Sequence, residues 1–267
     1  MELIVCVKQV PDPEAPPASF KVDAASNKVV PPPGVAPVVS TFDETAVEAA
    51  LKVKDAKAGS KVTILSLGNN LVRDVVKKPL AMGADQLILL EDPAYEDGDS
   101  FSTAFALAAA IKKIGKFDII FCGRQAADWD AGQVGLGIAE LLGLPCITLA
   151  KKVTVHDSKV EVERVVADGF EVVEAPLPCL ITVTNELGEP RYAPLKGIMK
   201  AAKIQPIIWK PADVGLDPAK IGAKGRRTKL VKLFQPVKEG KCEIVAGENV
   251  ADAAAKLAVR LREAKVL

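Results

Sequence analysis

The sequence predicts an α/β fold: a mostly parallel, doubly wound sheet of nucleotide-binding type, with an added antiparallel meander and an extended C-terminal arm. In the first half of the chain, short apolar runs alternate with segments of helical apolar spacing, which is typical of βαβ units. Between residues 152 and 175 the apolar residues recur at every second position, which indicates antiparallel strands. After residue 190, proline and lysine are frequent and long periodic runs are rare, which favours an arm packed on another surface.

The elements can be placed in order along the chain. The apolar runs are nearly continuous, as expected of parallel strands that are covered on both faces. Strands are predicted over 3–8, 61–67, 86–90 and 117–122, with helices over 42–56, 69–84, 99–115 and 131–143. A further buried strand at 176–184 follows the meander, and a helix over 249–267 closes the chain.

Residue types at the helix ends support these boundaries. The asparagine pair 69–70 suits the N-cap of the second helix, and Asp99 or Ser100 suits the N-cap of the third. Pro79 is predicted to kink or interrupt the second helix, because proline lacks a backbone N–H and clashes with the preceding turn. Gly83 suits the end of that helix.

The composition excludes several classes of function. Hydrophobic residues make up 49% and charged residues 26%, an ordinary globular balance. With 35 basic and 34 acidic residues, the chain has no bulk charge to hold nucleic acid, and no nucleic-acid partner is expected. One histidine and five scattered cysteines without a CxxC pair predict neither a hydrolytic triad nor a metal site.

Targeting signals are also absent from the sequence pattern. The start of the chain is interpreted as a first strand rather than a signal peptide, and no apolar run reaches the roughly 18 residues of a membrane helix. The cysteines lie mostly in apolar runs, which favours a reduced, cytoplasmic compartment and no membrane insertion.

Four small, polar or glycine-bearing segments are predicted to meet at one edge of the sheet. Ligands of open parallel sheets bind beyond the carboxyl ends of the strands. The segments at those ends are 6–12, 40–43, 66–70 and 123–134. None of them matches the dinucleotide glycine fingerprint or the P-loop pattern.

The segment GRQAADWDAGQVG, residues 123–135, carries the densest set of hydrogen-bonding groups. The helix start after Gly132 offers free backbone N–H groups to a phosphate, and Arg124 suits the same charge. Gln125, Gln133 and Asp128 suit ribose or base edges. The alternative interpretation is an ordinary polar turn between a strand and a helix.

Two residues of this segment allow more than one interpretation. Trp129 is either a lid over a ligand or a contact with a partner. Asp128 and Asp130 form a carboxylate pair, but nothing in the sequence marks either as a tuned acid or base. The segment is therefore predicted to bind rather than to catalyse, and no catalytic residue is assigned.

Several stretches resemble the beta subunit of electron-transfer flavoprotein, and the resemblance covers essentially the whole chain. They are VKQVPD (7–12), FDETAVEAALKVKDA (42–56), LAMGAD (80–85), GRQAADWDAGQVG (123–135) and PLPCLITVTNELGEPRYAPLKGIMKA (176–201). Within the last stretch, EPRYAPLKGIMKA is the most specific part.

The resemblance implies a nucleotide-binding domain over 1–190, followed by an arm and C-terminal helix over 191–267 that pack on an alpha subunit. It implies FAD held mainly by that subunit and a second nucleotide in this chain, either AMP or a second FAD. The heterodimer would shuttle electrons between an acyl-CoA-type dehydrogenase, as in fatty acid oxidation, or NADH and an acceptor. It would be an electron carrier rather than an independent enzyme, oxidising NADH only if it bifurcates electrons.

Site residues follow from the resemblance by position. The beta-subunit nucleotide is expected to contact Cys6, Ser40, Thr41, Phe42, Asp43, Ser66, Leu67, Gly123, Arg124, Gln125, Ala126, Ala127, Asp128, Trp129, Asp130, Ala131, Gly132, Gln133 and Val134. Partner recognition is expected from Glu186, Leu187, Gly188, Arg191 and Tyr192. Within that segment, Leu187 is expected to be an exposed apolar anchor for a dehydrogenase pocket.

Alternatives remain for the branch of the family and for the class of function. Residues 7–12, 99–111 and 123–135 resemble the electron-bifurcating branch, whereas Trp129 stands where that branch usually has glycine. The other candidate functions are a stand-alone adenine-nucleotide-binding module of universal-stress or ATP-pyrophosphatase type and, ranked last, a hydrolase or nucleotidyl transferase. A stand-alone module has no need of the extended tail.

Overall fold

The computed structural model of the chain describes residues 1–236, 240 and 242–267, which form two compact units, Met1–Lys232 and Leu233–Leu267. The strands are Glu2–Val7 (β1), Gln9–Val10 (β2), Lys21–Asp23 (β3), Lys28–Val30 (β4), Val38–Val39 (β5), Lys61–Gly68 (β6), Gln86–Glu91 (β7), Ile119–Gly123 (β8), Cys146–Val155 (β9), Lys159–Val166 (β10), Gly169–Pro176 (β11), Cys179–Val183 (β12) and Ile207–Trp209 (β13). The helices are Thr41–Ala56 (α1), Arg73–Val76 (α2), Lys78–Met82 (α3), Ser100–Ile114 (α4), Val134–Leu142 (α5), Leu195–Lys203 (α6), Gly222–Gly225 (α7) and Val250–Glu263 (α8).

A nine-stranded sheet forms the centre of the first unit, with the order β11-β10-β9-β12-β8-β1-β6-β7-β13. The seven strands β9, β12, β8, β1, β6, β7 and β13 are parallel to their neighbours in the sheet. At the other end, β10 pairs antiparallel with β9, and β11 pairs antiparallel with β10. The predicted fold class is therefore confirmed. The strand β9 begins at Cys146, earlier than predicted, because its first half pairs with β12 before it joins the meander.

Helices cover both faces of the sheet. Leu3 and Val5 of β1 belong to a buried apolar cluster with α1, α3 and α6, whereas Ile4 belongs to a cluster with α4 and α5. Successive strand residues point to opposite faces, so both faces must be covered by apolar surface. This arrangement explains why the parallel strands have no polar alternation in the sequence.

The predicted helix ends are partly right. Asp99 caps α4, since its Oδ1 accepts a hydrogen bond of 2.9 Å from the Ser102 N–H. Pro79 does interrupt the second helical segment, which divides into α2 and α3, and Gly83 follows with a φ of 135°. The asparagine N-cap is wrong: α2 begins after Val72, and Asn70 instead occupies a turn with a φ of 58°.

The first unit continues well past residue 190, the predicted end of the nucleotide-binding domain, and ends at Lys232. The strand β13 extends the sheet by pairing with β7, and α6 packs closely on α3. A Cβ at Gly197 would lie 2.1 Å from the Ala81 carbonyl oxygen, so glycine permits this approach. Apolar burial on the sheet and on α3 therefore holds residues 191–232 in the first unit.

The second unit contains α8. The Asn249 side chain caps this helix by accepting a 3.0 Å hydrogen bond from the Asp252 N–H. Its apolar residues, among them Leu257 and Val259, are exposed within the chain. In the described residues, no helix has the length and apolar character needed to cross a membrane.

Asp99 also anchors the end of the first unit. Its Oδ2 accepts hydrogen bonds from the Arg227 N–H at 2.7 Å, the Thr228 N–H at 2.8 Å and the Thr228 hydroxyl at 3.1 Å. Partial burial raises the pKa of Asp99, but the backbone hydrogen bonds from Ser102, Thr228 and Arg227 outweigh it and lower the pKa to about 2. The carboxylate therefore stays ionised at neutral pH and fastens residues 227–228 to α4.

Asp99→Asn tests this anchor. Asparagine keeps an oxygen for the cap of α4 but presents an amide where residues 227–228 need an acceptor. Losing about 1.4 kcal/mol of local stability predicts roughly tenfold faster tryptic cleavage near Arg227, with little change in global unfolding. Limited proteolysis measures the rate, and Asp217→Asn, which alters only the cap of a short turn, is the control. Equal cleavage of wild type and Asp99→Asn would show that the anchor does not hold this segment.

Candidate functional site

The four predicted segments meet at the carboxyl edge of β6, β1 and β8, which are neighbours in the sheet. Val7 of β1 is in register with Ser66 of β6, and Gly123 ends β8. Helix α1 starts at the same edge, with Ser40 as its N-cap. The sheet order therefore brings together segments that are far apart in the sequence, as a switch-point site requires.

Asp43 connects three of these segments. Its side chain is buried; its Oδ2 accepts a 2.8 Å hydrogen bond from the Lys8 N–H, and its Oδ1 accepts a 3.1 Å bond from the Gly123 N–H. Burial raises the pKa of Asp43 to about 7, although the two backbone hydrogen bonds act in the opposite direction. The carboxylate thus supports the site from below.

Ser40 connects α1 to the long loop. It is fully buried, and its Oγ accepts a 3.2 Å hydrogen bond from the Ala127 N–H instead of capping α1. Its backbone N–H donates to the Lys8 carbonyl at 2.9 Å, and its carbonyl accepts the N–H groups of Asp43 and Glu44. One serine therefore joins the end of β1, the start of α1 and the loop after β8.

Gly123 is a position where a side chain does not fit. A Cβ there would lie 2.5 Å from Asp43 Oδ1 and 2.8 Å from the carbonyl carbon of Phe42. The next residue, Arg124, places its guanidinium 5.0 Å from the centre of the Phe42 ring, a cation–π contact. The close approach of α1 and β8 is what orients the arginine.

The loop over residues 124–133 is held by its own side chains. Gln125 Nε2 donates to Asp130 Oδ1 at 2.8 Å, and the Asp130 N–H donates to the Ala126 carbonyl at 3.0 Å. Asp128 accepts two hydrogen bonds from Lys8 Nζ, at 2.7 and 2.8 Å. The loop is thus tied back to β1, and the amide of Gln125 is engaged within the loop.

Trp129 stands outward at the tip of the loop with 57% of its surface exposed. Thr41, Asp128, Asp130, Ala131 and Gln133 are also exposed, whereas Cys6, Ser40, Asp43 and Ser66 are buried. The other predicted nucleotide contacts are intermediate: Phe42, Leu67, Gly123, Arg124, Gln125, Ala126, Ala127, Gly132 and Val134. The structure therefore assembles a buried floor, an intermediate wall and an exposed rim from the predicted set.

Two buried polar atoms at this edge have no hydrogen-bond partner among the described residues. They are the Oγ of Ser66, which is fully buried, and the Nε of Arg124. Buried polar groups are almost always paired, so each such atom requires an explanation. The nearby start of α5 also leaves backbone N–H groups unsatisfied within the helix. A hydroxyl, a guanidinium and a helix N-terminus suit the phosphate and ribose of a nucleotide.

Cys6 and Cys122 lie beneath the site on the neighbouring strands β1 and β8, and both are buried. The hydrogen bond from Cys6, together with burial, raises the pKa of the Cys122 thiol well above its ordinary value. The Cys122 thiol is therefore neutral at physiological pH and supplies no nucleophile to the site. Both cysteine side chains form part of the buried floor.

The predicted partner segment differs from expectation at Leu187. The prediction of an exposed anchor is wrong for this residue, which is only 9% exposed. It belongs to the apolar cluster that includes Ala49 and lines a small groove with Lys52 and Val153. The Lys52 ammonium also donates to the Leu187 carbonyl at 3.1 Å. The short helical turn at 185–187 directs this side chain toward α1 and β9.

The other residues of the predicted partner segment either form contacts within the chain or face outward. Arg191 bonds to Glu48 and to Asp55, each at a closest distance of 2.8 Å, and these partners raise its pKa. Glu186 accepts a short hydrogen bond from the Thr184 hydroxyl. Tyr192 is 97% exposed, and Gly188 provides a φ of 105° at the turn.

The sequence analysis missed the exposed apolar face of α6. Leu195 is 74% exposed, and Ile198 and Met199 lie on the same outward side at helical spacing. The opposite side packs inward through Gly197 and Ala201. The spacing was visible in LKGIMKAA, but only packing on α3 shows which side is free.

A family model described as Electron transfer flavoprotein domain matches residues 34–214. The chain belongs to the electron transfer flavoprotein family. Electron transfer flavoprotein subunit beta of Megasphaera elsdenii is 43% identical over 242 residues, covering 88% of each chain. Caffeyl-CoA reductase-Etf complex subunit CarD of Acetobacterium woodii is 38% identical over 268 residues, covering both chains completely. Protein FixA of Azorhizobium caulinodans is 36% identical over 244 residues, covering 88% of this chain and 85% of its own.

Gly123→Ala tests the close approach on which this candidate site is built. The added Cβ would force Asp43 and the backbone of Phe42 apart, so we expect about 1–3 kcal/mol of destabilisation. Urea unfolding measures the effect. Gly240→Ala is the control, since a Cβ there meets nothing within 4 Å. A Gly123→Ala protein as stable as wild type would contradict the proposed constraint.

Proposed function

We propose that this chain is the beta subunit of a heterodimeric electron transfer flavoprotein, which carries electrons through FAD together with an alpha subunit. Relatives named electron transfer flavoprotein subunit beta, one of them similar over its full length, support this assignment. In the structure, the supporting observation is that two buried polar atoms at the carboxyl edge, Ser66 Oγ and Arg124 Nε, lack a hydrogen-bond partner among the described residues. The stand-alone universal-stress module is disfavoured, because the similarity to an electron transfer flavoprotein subunit beta extends over the whole chain.

The nucleotide of this subunit binds at the edge formed by β6, β1 and β8. Ser66 supplies a hydroxyl and Arg124 a cation, while the backbone N–H groups at the start of α5 face the phosphates. Gln133 at the exposed rim suits ribose or base edges. FAD, when bound by the heterodimer, supplies the electron-transfer chemistry, and this chain contributes binding, orientation and exclusion of water.

The identity of this nucleotide, AMP or a second FAD, distinguishes a simple carrier from an electron-bifurcating one. Purifying the chain with its alpha subunit, denaturing the complex and separating the released nucleotides by chromatography decides between them. A second FAD per heterodimer places a flavin against the 123–134 loop, where Trp129 would stack on or flank it. AMP with a single FAD makes the protein a simple carrier. Absence of flavin and of a stable alpha partner would overturn the proposed function.

We propose that the alpha subunit packs on the chain through the exposed apolar residues of α8 and the segment around it. Those residues, including Leu257 and Val259, are uncovered within the isolated chain, although amphipathic helices normally bury such a face. The five cysteines are free, which supports the proposal of a reducing, cytoplasmic location. An acyl-CoA-type dehydrogenase is the proposed electron-exchange partner.

We propose that this dehydrogenase docks on the exposed face of α6 rather than on Leu187. Leu195, Ile198 and Met199 are exposed together on one side of α6, Tyr192 is exposed just before the helix, and Lys200 and Lys203 lie in its last turn. Large apolar residues exposed together mark protein contacts more often than isolated ones do. The docking segment is therefore the continuation of the predicted 186–192 segment along the chain.

Leu195→Ala is expected to slow electron exchange, whereas Leu187→Ala is expected to lower stability. Leu195→Ala removes an exposed anchor, so electron exchange with the dehydrogenase should slow by about tenfold or more while stability and nucleotide content remain unchanged. Leu187→Ala creates a cavity and should cost about 2–4 kcal/mol of stability. Stopped-flow reduction and urea unfolding measure the two effects. If only Leu187→Ala slows electron exchange, the dehydrogenase docks on Leu187 and the proposed α6 contact is wrong.

A further inference from the structure

The Asp43 carboxylate uses its two oxygens for two different strands. Oδ2 accepts the Lys8 N–H that follows β1, and Oδ1 accepts the Gly123 N–H that ends β8. An ionised carboxylate only accepts hydrogen bonds, so both donors are satisfied. A proton on either oxygen turns that oxygen into a donor and weakens one of the two backbone bonds.

Both bonds support residues of the proposed nucleotide site. Gly123 immediately precedes Arg124, whose guanidinium rests on Phe42. Lys8 holds Asp128 in the loop through two hydrogen bonds of 2.7 and 2.8 Å. Loosening the carboxylate therefore affects the arginine at the start of the loop and the lysine that ties its middle.

The groups facing Asp43 determine its charge. Burial raises its pKa to about 7, the Lys8 N–H and Gly123 N–H bonds and the Lys8 charge lower it, and the Asp128 charge raises it. On the adjoining strands lie Cys6 and Cys122, and the pKa of Cys122 is raised, so that thiol stays neutral. Arg124, which follows Gly123, lies with its guanidinium 5.0 Å from the centre of the Phe42 ring.

We propose that Asp43 is a positioning residue whose ionised carboxylate holds the 123–134 loop in its nucleotide-binding conformation, and whose protonation weakens nucleotide binding. The inference rests on the proposed nucleotide site and adds a dependence on proton concentration. The proposed role of Asp43 requires no contact with the nucleotide. It acts through the ends of β1 and β8.

The sign of the effect follows from the raised pKa. The carboxyl is mostly protonated at pH 6 and mostly ionised at pH 8, so the binding-competent fraction rises about tenfold between them. Apparent nucleotide affinity should increase by the same factor. Because binding favours the ionised form, wild-type protein should release protons on binding near pH 7.

Asp43→Asn removes the titration. Its amide oxygen satisfies one backbone N–H, while its NH₂ group faces the other donor, so affinity should be low and similar at pH 6 and pH 8. Asp118→Asn is the matched control, because Asp118 accepts a 2.7 Å bond from the Glu2 N–H at the opposite end of the same strands. It should follow the wild-type profile.

Isothermal titration calorimetry of the full chain with FAD and with AMP, from pH 5.5 to 8.5, provides the test. The phosphate of AMP titrates near pH 6 itself, but equally for every variant, so the difference from Asp43→Asn reports Asp43. Repeating the wild-type titration in buffers of different ionisation enthalpy gives the proton release. With FAD, whose pyrophosphate does not titrate in this range, the proton release remains decisive if Asp43→Asn does not fold.

The outcomes separate the inference from the function on which it rests. A tenfold wild-type pH effect, flat in Asp43→Asn and kept in Asp118→Asn, with proton release, supports the positioning role. Nucleotide binding without proton release, or with the same pH profile in wild type and Asp43→Asn, overturns that role alone. A folded chain that binds neither FAD nor AMP at any pH overturns the nucleotide site itself.

Discussion

The ends of β1 and β8 are joined by one buried carboxylate, and the geometry of the site follows from that arrangement. Asp43 can reach both backbone N–H groups only because α1 begins directly against the end of β8. Glycine at position 123 permits this contact, since any Cβ would collide with the carboxylate. With the helix and the strand in contact, Arg124 lies over Phe42 and Ser40 bonds to the loop. Burying a carboxylate is costly unless hydrogen bonds compensate it, and two backbone donors offset part of that cost here.

This site has the physical character of a binding surface. Its buried floor contains two cysteines and the Ser66 hydroxyl, its wall carries the Arg124 guanidinium, and its rim is polar. Such a surface suits the proposed role of orienting a nucleotide and shielding it from water, with the chemistry left to the cofactor. The apolar face of α6 lies on another part of the same unit and is the proposed contact for a protein partner. The two surfaces can therefore be altered independently by substitution.

Much of the fold could be predicted from the sequence because local patterns and global architecture agree. Alternating apolar runs and helical segments correctly indicated a parallel sheet covered on both faces, and Pro79 correctly marked a helix break. The prediction failed where two local signals were equally good. The asparagine pair resembled an N-cap, but α2 begins only after Val72. The backbone N–H groups of Leu71 and Val72 donate to the side chains of Glu91 and Gln9, which are distant in the chain, so tertiary contacts decided the conformation.

By itself, the sequence determined the order of strands and helices, the four segments at the carboxyl edge and the family to which the chain belongs. These depend on residue periodicity, on turn residues and on motifs that are local in the chain. Only the tertiary structure decided which side chains face the site and which face a partner. Leu187 and Leu195 lie in neighbouring polar segments, yet one packs against α1 and the other extends into solvent. The raised pKa of Asp43 and the unpartnered Ser66 and Arg124 atoms likewise arise from burial by distant segments, which no local pattern records.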